Sequence, residues 1–234
     1  MKMIKKEKEN NSEDVQNLIQ KLVTPSLWRA MRIRNRKNKS NQWKFGAEQP
    51  PEFYDEKFRL KKHWQQHYTE SHYFPIWAAI GERIRERSPR LILDVGCGCG
   101  QFANLLFDRK IKNYIGIDFS PARIEHARRI CPKYQFEIQN AITSSIFGTV
   151  HADCVLMLEF LEHIKKDRQI LEKIPKGILV IATLPNFAGM GHVRHFKSDA
   201  DVEERYNPYF SNVRVDEFIA NKNGKKFFIL QGER

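Results

Sequence analysis

The 234-residue chain has only four cysteines, Cys97, Cys99, Cys131 and Cys154, and their irregular spacing excludes a disulfide framework. Cys97 and Cys99 are one residue apart, which suits neither a C-x-x-C redox pair nor a zinc knuckle, and no histidine set completes a zinc site around them. No metal is therefore expected. Long apolar runs are also absent: none approaches the ~20 residues needed to cross a bilayer. The opening MKMIKKEKENN is too charged to hold the apolar stretch of a secretory signal, so a cytoplasmic location is expected. No repeat with a period of 20–50 residues is visible, which removes solenoids and propellers. Acid is in short supply, with 28 Asp and Glu against 40 Lys and Arg and a net charge of +12. Such a balance suits an anionic partner: nucleic acid, a phosphorylated small molecule or a lipid surface.

Residues that can build a core are plentiful, at 41% hydrophobic and 12% aromatic. Residues 1–11 read as a disordered basic tail. Residues 12–88 read as a helical, aromatic-rich and basic extension, opening with a helix in which Val15, Leu18, Ile19, Leu22 and Val23 share one face. Seven cations lie between Arg29 and Lys44 with no acid, flanked by Trp28 and Trp43. His63, Trp64, His67, Tyr68, His72, Tyr73, Phe74 and Trp77 follow, and residues 77–87 read as a helix ending at Ser88-Pro89. Residues 1–80 hold 16 basic and 9 acidic residues, so more than half of the excess charge lies in the extension.

From residue 89 onward, apolar runs alternate with amphipathic segments. Strands are expected at 91–95, 114–118, 134–139, 153–159 and 177–183, with helices at 101–109, 121–130 and 167–173 between them. Such alternation implies parallel pairing through right-handed crossovers, hence a Rossmann-like doubly wound α/β sheet with helices on both faces. Two last strands, 212–219 and 227–231, are joined by Asn221-Lys222-Asn223-Gly224, a hairpin signal, and must run antiparallel.

The first strand runs into Asp94-Val95-Gly96-Cys97-Gly98-Cys99-Gly100 and the next helix begins at Gln101. Alternate glycines allow a tight turn and a close ligand, and the helix N-terminus adds free N–H groups. A nicotinamide fingerprint needs a small residue where Gln101 stands. Asp118 ends the second strand 18 residues after Gly100, where an acid can accept hydrogen bonds from ribose hydroxyls.

The acid-x-Gly-x-Gly-x-Gly pattern with Asp118 resembles the class I S-adenosylmethionine-dependent methyltransferases. The resemblance implies S-adenosylmethionine as cofactor, held by Asp94, Gly96, Cys97, Gly98, Gly100, Asp118, Phe119, Asn140, Ala141 and Glu159, with Tyr73 at its methionine end under an aromatic lid. Asn140 stands where many members have Asp. Met157-Leu158-Glu159-Phe160-Leu161-Glu162-His163 is similar to the E-x-x-E-H signature after strand four of many small-molecule members, which makes Glu159 and His163 catalytic candidates. Pro185-Asn186-Phe187 followed by His192-Val193-Arg194 looks like a bacterial subgroup associated with cell-surface polysaccharide genes. That likeness implies Asn186, His192 and Arg194 as substrate-binding residues, with His192 also a candidate base. The implied acceptor is an O or N atom on a small molecule or glycan intermediate, anionic in one form. RNA methylation through the basic arm, and cofactor binding without turnover, are the competing readings. Residues 15–44 would also suit contact with a membrane surface or a biosynthetic partner.

Overall fold

A computed structural model of the chain describes residues 43–220 and 223–234. Phe45–Arg234 forms one compact unit, so residues 45–88 belong to the same body as the sheet. The helix expected near Val15 and most of the basic run from Arg29 lie outside the described residues. No helix among the described residues is long and apolar enough to cross a membrane.

Helix α1 (Pro51–Leu60) starts on a proline whose fixed φ suits the first helical turn, and it buries Phe53, Tyr54 and Phe58. Helix α2 (Phe74–Arg87) buries Ile76, Trp77, Ile80 and Ile84 at three- and four-residue spacing, then stops at Ser88, which adopts φ +46° just before Pro89. The alternation that follows is β1 (Ile92–Val95), α3 (Gln101–Asp108), β2 (Tyr114–Asp118), α4 (Pro121–Ile130), β3 (Gln135–Ile138), α5 (Ile146–Thr149), β4 (Cys154–Leu158), α6 (Asp167–Glu172) and β5 (Leu179–Pro185). Helix α7 (Asp199–Tyr206) and strands β6 (Ser211–Ile219) and β7 (Lys226–Glu233) complete the chain. Helix α4 opens as its sequence requires, with the Ser120 side chain accepting from Arg123 N and Pro121 in the first turn. Three helices fall outside the expected spans: α1, the four-residue α5, and α7, whose DADVEERY buries only Val202 and Tyr206 behind a Ser198–Asp201 capping box.

The seven strands lie in the order β3-β2-β1-β4-β5-β7-β6. Strands β1 to β5 are parallel, β7 runs antiparallel between β5 and β6, and β6 pairs antiparallel with β7. Alternate residues of each strand feed opposite cores: Leu93, Val155, Met157 and Phe228 on one face, Ile92, Leu156, Ile181 and Ile229 on the other. A sheet covered on both faces needs apolar residues at both phases of the pleat, which is why β4 reads as an unbroken hydrophobic run and β1 as one broken only by Asp94. The strand order reverses between β1 and β4, and a crevice opens there beyond the carboxyl ends.

One buried ionic knot ties the C-terminal elements together. Asp167, at the start of α6 and fully buried, accepts two hydrogen bonds of 2.8 Å from Arg205 and one of 2.7 Å from the Tyr206 hydroxyl, and lies 3.2 Å from Arg194.

Candidate functional site

The crevice is a cavity of about 740 Å³, walled by the ends of β1 to β4, by α1, and by Trp64, Tyr73 and Trp77. Its floor is the glycine loop after β1. Gly96 adopts φ +81°, and a Cβ there would sit 2.5 Å from the Phe160 ring; Gly100 adopts φ +79°, and a Cβ would sit 2.8 Å from Ala127 on α4. Both are glycine because the chain needs the left-handed region and because a neighbour fills the space. Gly98 differs: at φ +57°, its Cβ would meet only Arg123, at 3.9 Å, so the backbone here stands open to the cavity. Of the loop, Gly96, Cys97, Gly98 and Cys99 line the cavity, whereas Gly100 serves the packing of α3 on α4.

Asp118, at the end of β2, shapes this loop directly. One carboxylate oxygen accepts from Gly98 N at 3.0 Å and the other from Ser120 N at 2.8 Å. Burial raises its pKa and the nearby Arg123 guanidinium opposes that shift. Each carboxylate oxygen has a second lone pair, and the group borders the cavity, so donors from a ligand can still be met. Phe119, Asn140 and Ala141 border the same region. The Asn140 side-chain oxygen accepts from Ile142 N at 2.9 Å and so holds the turn after β3. An open glycine backbone offers donors, and a strand-terminal acid and a polar turn offer acceptors, of the kinds that an adenosyl and amino-acid ligand can use.

Asp94, on β1, lies beneath the loop with the Tyr114 hydroxyl 2.6 Å away. Burial pushes its carboxyl from 3.8 up to about 7, with Asp118 adding to the shift. Tyr114, Cys97, Cys154 and Asp118 are the titratable groups around it. The sign follows: the unfolded chain releases this proton near pH 4 and the folded chain only near pH 7, so the contribution of Asp94 to stability falls across that window. Asp94→Asn should therefore gain stability relative to the wild type as pH rises from 5 to 8, measured by urea unfolding at each pH. A constant difference would refute the buried-acid assignment.

The far end of the cavity is lined by Glu159, His163, Gly189, Met190 and His192, with Glu162 fully buried beside His163. Glu159 is held at φ +53°, its N–H donating to Thr183 Oγ1 at 2.8 Å and its carboxyl accepting from that hydroxyl at 3.1 Å. Burial raises Glu159 to about 8, and raises the fully buried Glu162 further, with Glu159 beside it adding to that shift. His163 donates from Nδ1 to the Gly191 carbonyl at 2.9 Å, and burial together with His192 pushes it down to about 3. The His192 Nδ1 lies 3.2 Å from the Phe187 carbonyl, and burial lowers this imidazole as well.

Of the other expected residues, Tyr73 lines the cavity, stacked 5.4 Å from Trp77. Asn186 and Arg194 do not line it. Asn186 bonds Gly224 O and Lys226 N across the C-terminal hairpin. Arg194 donates to the carbonyls of Leu161 and Ile164 and pairs with Asp167, so its charge braces the turn carrying Glu162 and His163.

Sequence reasoning overlooked four contributors. Arg123 on α4 lies over Tyr54 at 4.8 Å and Trp64 at 5.4 Å, and its buried Nε has no partner. Lys57 lies 4.2 Å over the Phe53 ring, and burial, with Lys61 and Arg123 nearby, lowers it to about 8. Gln101, standing where a dinucleotide fingerprint has a small residue, donates to the carbonyls of His63 and Gln66 and so fastens the aromatic lid segment. Asp55 joins α1 to the first turn of α4 through Ser120 Oγ at 2.5 Å and Ala122 N at 3.2 Å. Tyr54 and Phe58, four residues apart on a proline-initiated segment, were the available signal for α1.

Strand order, glycine loop and strand-terminal acid together resemble those of the class I S-adenosylmethionine-dependent methyltransferases. Residues 93–177 match the family model described as a methyltransferase domain. Trans-aconitate 2-methyltransferase of Methylobacterium radiotolerans is 37% identical over 67 residues, a match spanning 28% of this chain and 26% of that protein. Among solved structures, magnesium protoporphyrin IX methyltransferase of Synechocystis with bound S-adenosylmethionine has a TM-score of 0.58 at 14% identity, covering 79% of this chain and 96% of that one. The methyltransferase domain of a bacterial Hen1 protein has a TM-score of 0.52 at 17% identity, covering 68% of this chain and 97% of that one.

Proposed function

We propose that this methyltransferase domain moves a methyl group from S-adenosylmethionine to an oxygen or nitrogen of a small anionic molecule or glycan intermediate. One observation carries the acceptor class: α1 and the Trp64–Trp77 segment close over a cavity of about 740 Å³, a volume suited to the cofactor and one modest acceptor group. Lys57 and Arg123 border it and give the acceptor end positive charge. The polysaccharide context rests on the Pro185-Asn186-Phe187 and His192-Val193-Arg194 likeness, and residues 15–44 would make any contact with a membrane or a biosynthetic partner.

In this reading Asp118 takes the ribose hydroxyls, Asn140 and Ala141 border the adenine, and the Gly96–Gly98 backbone meets the amino-acid end. Bound S-adenosylmethionine supplies an electrophilic methyl group on a sulfonium. The acceptor lone pair forms the new bond to carbon as the carbon–sulfur bond breaks, and the electron pair stays on sulfur. Glu159, His163 and His192 orient the acceptor, and a neutral imidazole Nε2 receives its proton. Holding the partners in line supplies much of the rate without a covalent enzyme intermediate.

The test uses methyl-labelled S-adenosylmethionine and a cell extract separated into small-molecule, glycan and RNA fractions. Label should enter the small-molecule or glycan fraction, and less so with Lys57→Met. Label confined to RNA would favour the basic-arm reading, and cofactor binding without labelling in any fraction would favour a non-catalytic role.

A further inference from the structure

Where the Leu161–His163 turn meets the Gly189–His192 loop, Glu162, His163 and His192 each offer one ligand atom, and the three atoms lie within 4.8 Å of one another. His163 Nε2 is 3.8 Å from Glu162 Oε1. Donors around an ion ligated at ~2.1 Å stand roughly 3–4 Å apart, so a side-chain adjustment of about 1 Å closes the set.

Two independent features separate this trio from a chance cluster. Each imidazole has its Nδ1 against a backbone carbonyl, Gly191 for His163 and Phe187 for His192, which fixes the tautomer with the lone pair on Nε2. This arrangement orients ligating histidines in metal sites generally. Glu162 is fully buried, neither carboxyl oxygen makes a hydrogen bond of normal geometry, and the group beside it, Glu159, is a second acid. A carboxyl group at that depth is normally satisfied, and an ion at the trio would satisfy it.

We propose that Glu162, His163 and His192 bind one divalent transition-metal ion at the acceptor end of the cavity. Two imidazoles and a carboxylate suit manganese, iron(II), cobalt or zinc rather than calcium. Three protein ligands leave coordination positions free, and an acceptor oxygen would take one of them. The ion then replaces a free imidazole as the group that loosens the acceptor's proton, which leaves to water, and acts as template and Lewis acid. Glu159 and the Tyr54 ring, 5.9 Å from His163, wall the position. Gly189 is required beside it, since a Cβ there would lie 2.7 Å from His192 Nε2.

The role at the acceptor rests on the proposed function; the binding site itself rests on geometry. The test titrates untagged, chelator-treated full chain with cobalt(II) chloride and zinc chloride, read by visible absorption and calorimetry. One ion per chain is expected, with affinity at least tenfold weaker in His192→Asn and in Glu162→Gln, each checked for a cooperative unfolding transition. No cobalt or zinc binding by the wild type, or equal binding by both folded variants, would overturn the site. S-adenosylhomocysteine calorimetry on the wild type separates the two claims: cofactor binding without metal binding sinks only this inference, whereas failure of cofactor binding sinks the methyltransferase reading.

Discussion

Asp118→Ala should weaken S-adenosylhomocysteine binding by at least a hundredfold while the chain still unfolds cooperatively. A hydrogen bond to a charged group contributes about 1.5–3 kcal/mol, and two ribose hydroxyls on one carboxylate therefore account for two orders of magnitude or more. The loss does not stop at the ligand. Asp118 also accepts from Gly98 N and Ser120 N, so alanine releases the glycine loop that forms the floor of the site. Asp118→Asn separates the two effects: it keeps the shape and one acceptor oxygen, but it cannot accept from both backbone N–H groups and the ligand equally well. Its affinity should fall between those of wild type and alanine. Calorimetry with S-adenosylhomocysteine provides the measurement, and an alanine variant binding within threefold of wild type would contradict the assignment of Asp118.

The second large effect is on stability. Asp167→Ala should cost about 3–5 kcal/mol, the usual range when one member of a buried ion pair is removed and its partners remain. Asp167 is fully buried and faces two guanidinium groups and a phenol. Removing it strands Arg205 and Arg194 near each other, and Arg194 also braces the Leu161 and Ile164 carbonyls. Damage should therefore reach the Glu162–His163 turn as well as α7. Urea unfolding measures the cost. A loss below about 1 kcal/mol would mean that water or neighbouring groups replace the carboxylate.

Much of this architecture was legible because parallel strands covered on both faces write themselves as short apolar runs. Strands β1, β2 and β4 agree with their expected spans to within one residue at either end. Local turn chemistry was equally readable: Ser120-Pro121 opens α4 where expected. The sites of failure share a cause. In α7, acidic and polar residues dominate, and its place depends on a capping box and on Tyr206 reaching Asp167 across the fold. Arg194 looked substrate-facing because a charged residue in a glycine-flanked loop carries no mark of an internal partner; only the tertiary structure brings it to Asp167 and to the turn carbonyls. The Glu162, His163 and His192 group joins two loops, its histidines 29 positions apart, a separation that no short motif reports.

Strand β7 separates β5 from β6, although β6 precedes it in the chain. Synthesis therefore delivers β6 before the strand that must lie between it and the parallel sheet. At roughly 5–20 residues per second, the nascent chain holds both an unfilled β5 edge and an unattached β6 for about a second or more. Unpaired edges invite pairing with other chains, so this interval is when self-association would compete with folding. Lys226, at the start of β7, pairs with Glu217 on β6 at 2.6 Å, and the ladder then closes on both sides at once. The insertion order makes the sheet an assembly whose last piece arrives in its interior, and a ribosome stalled before β7 would display two sticky edges rather than one.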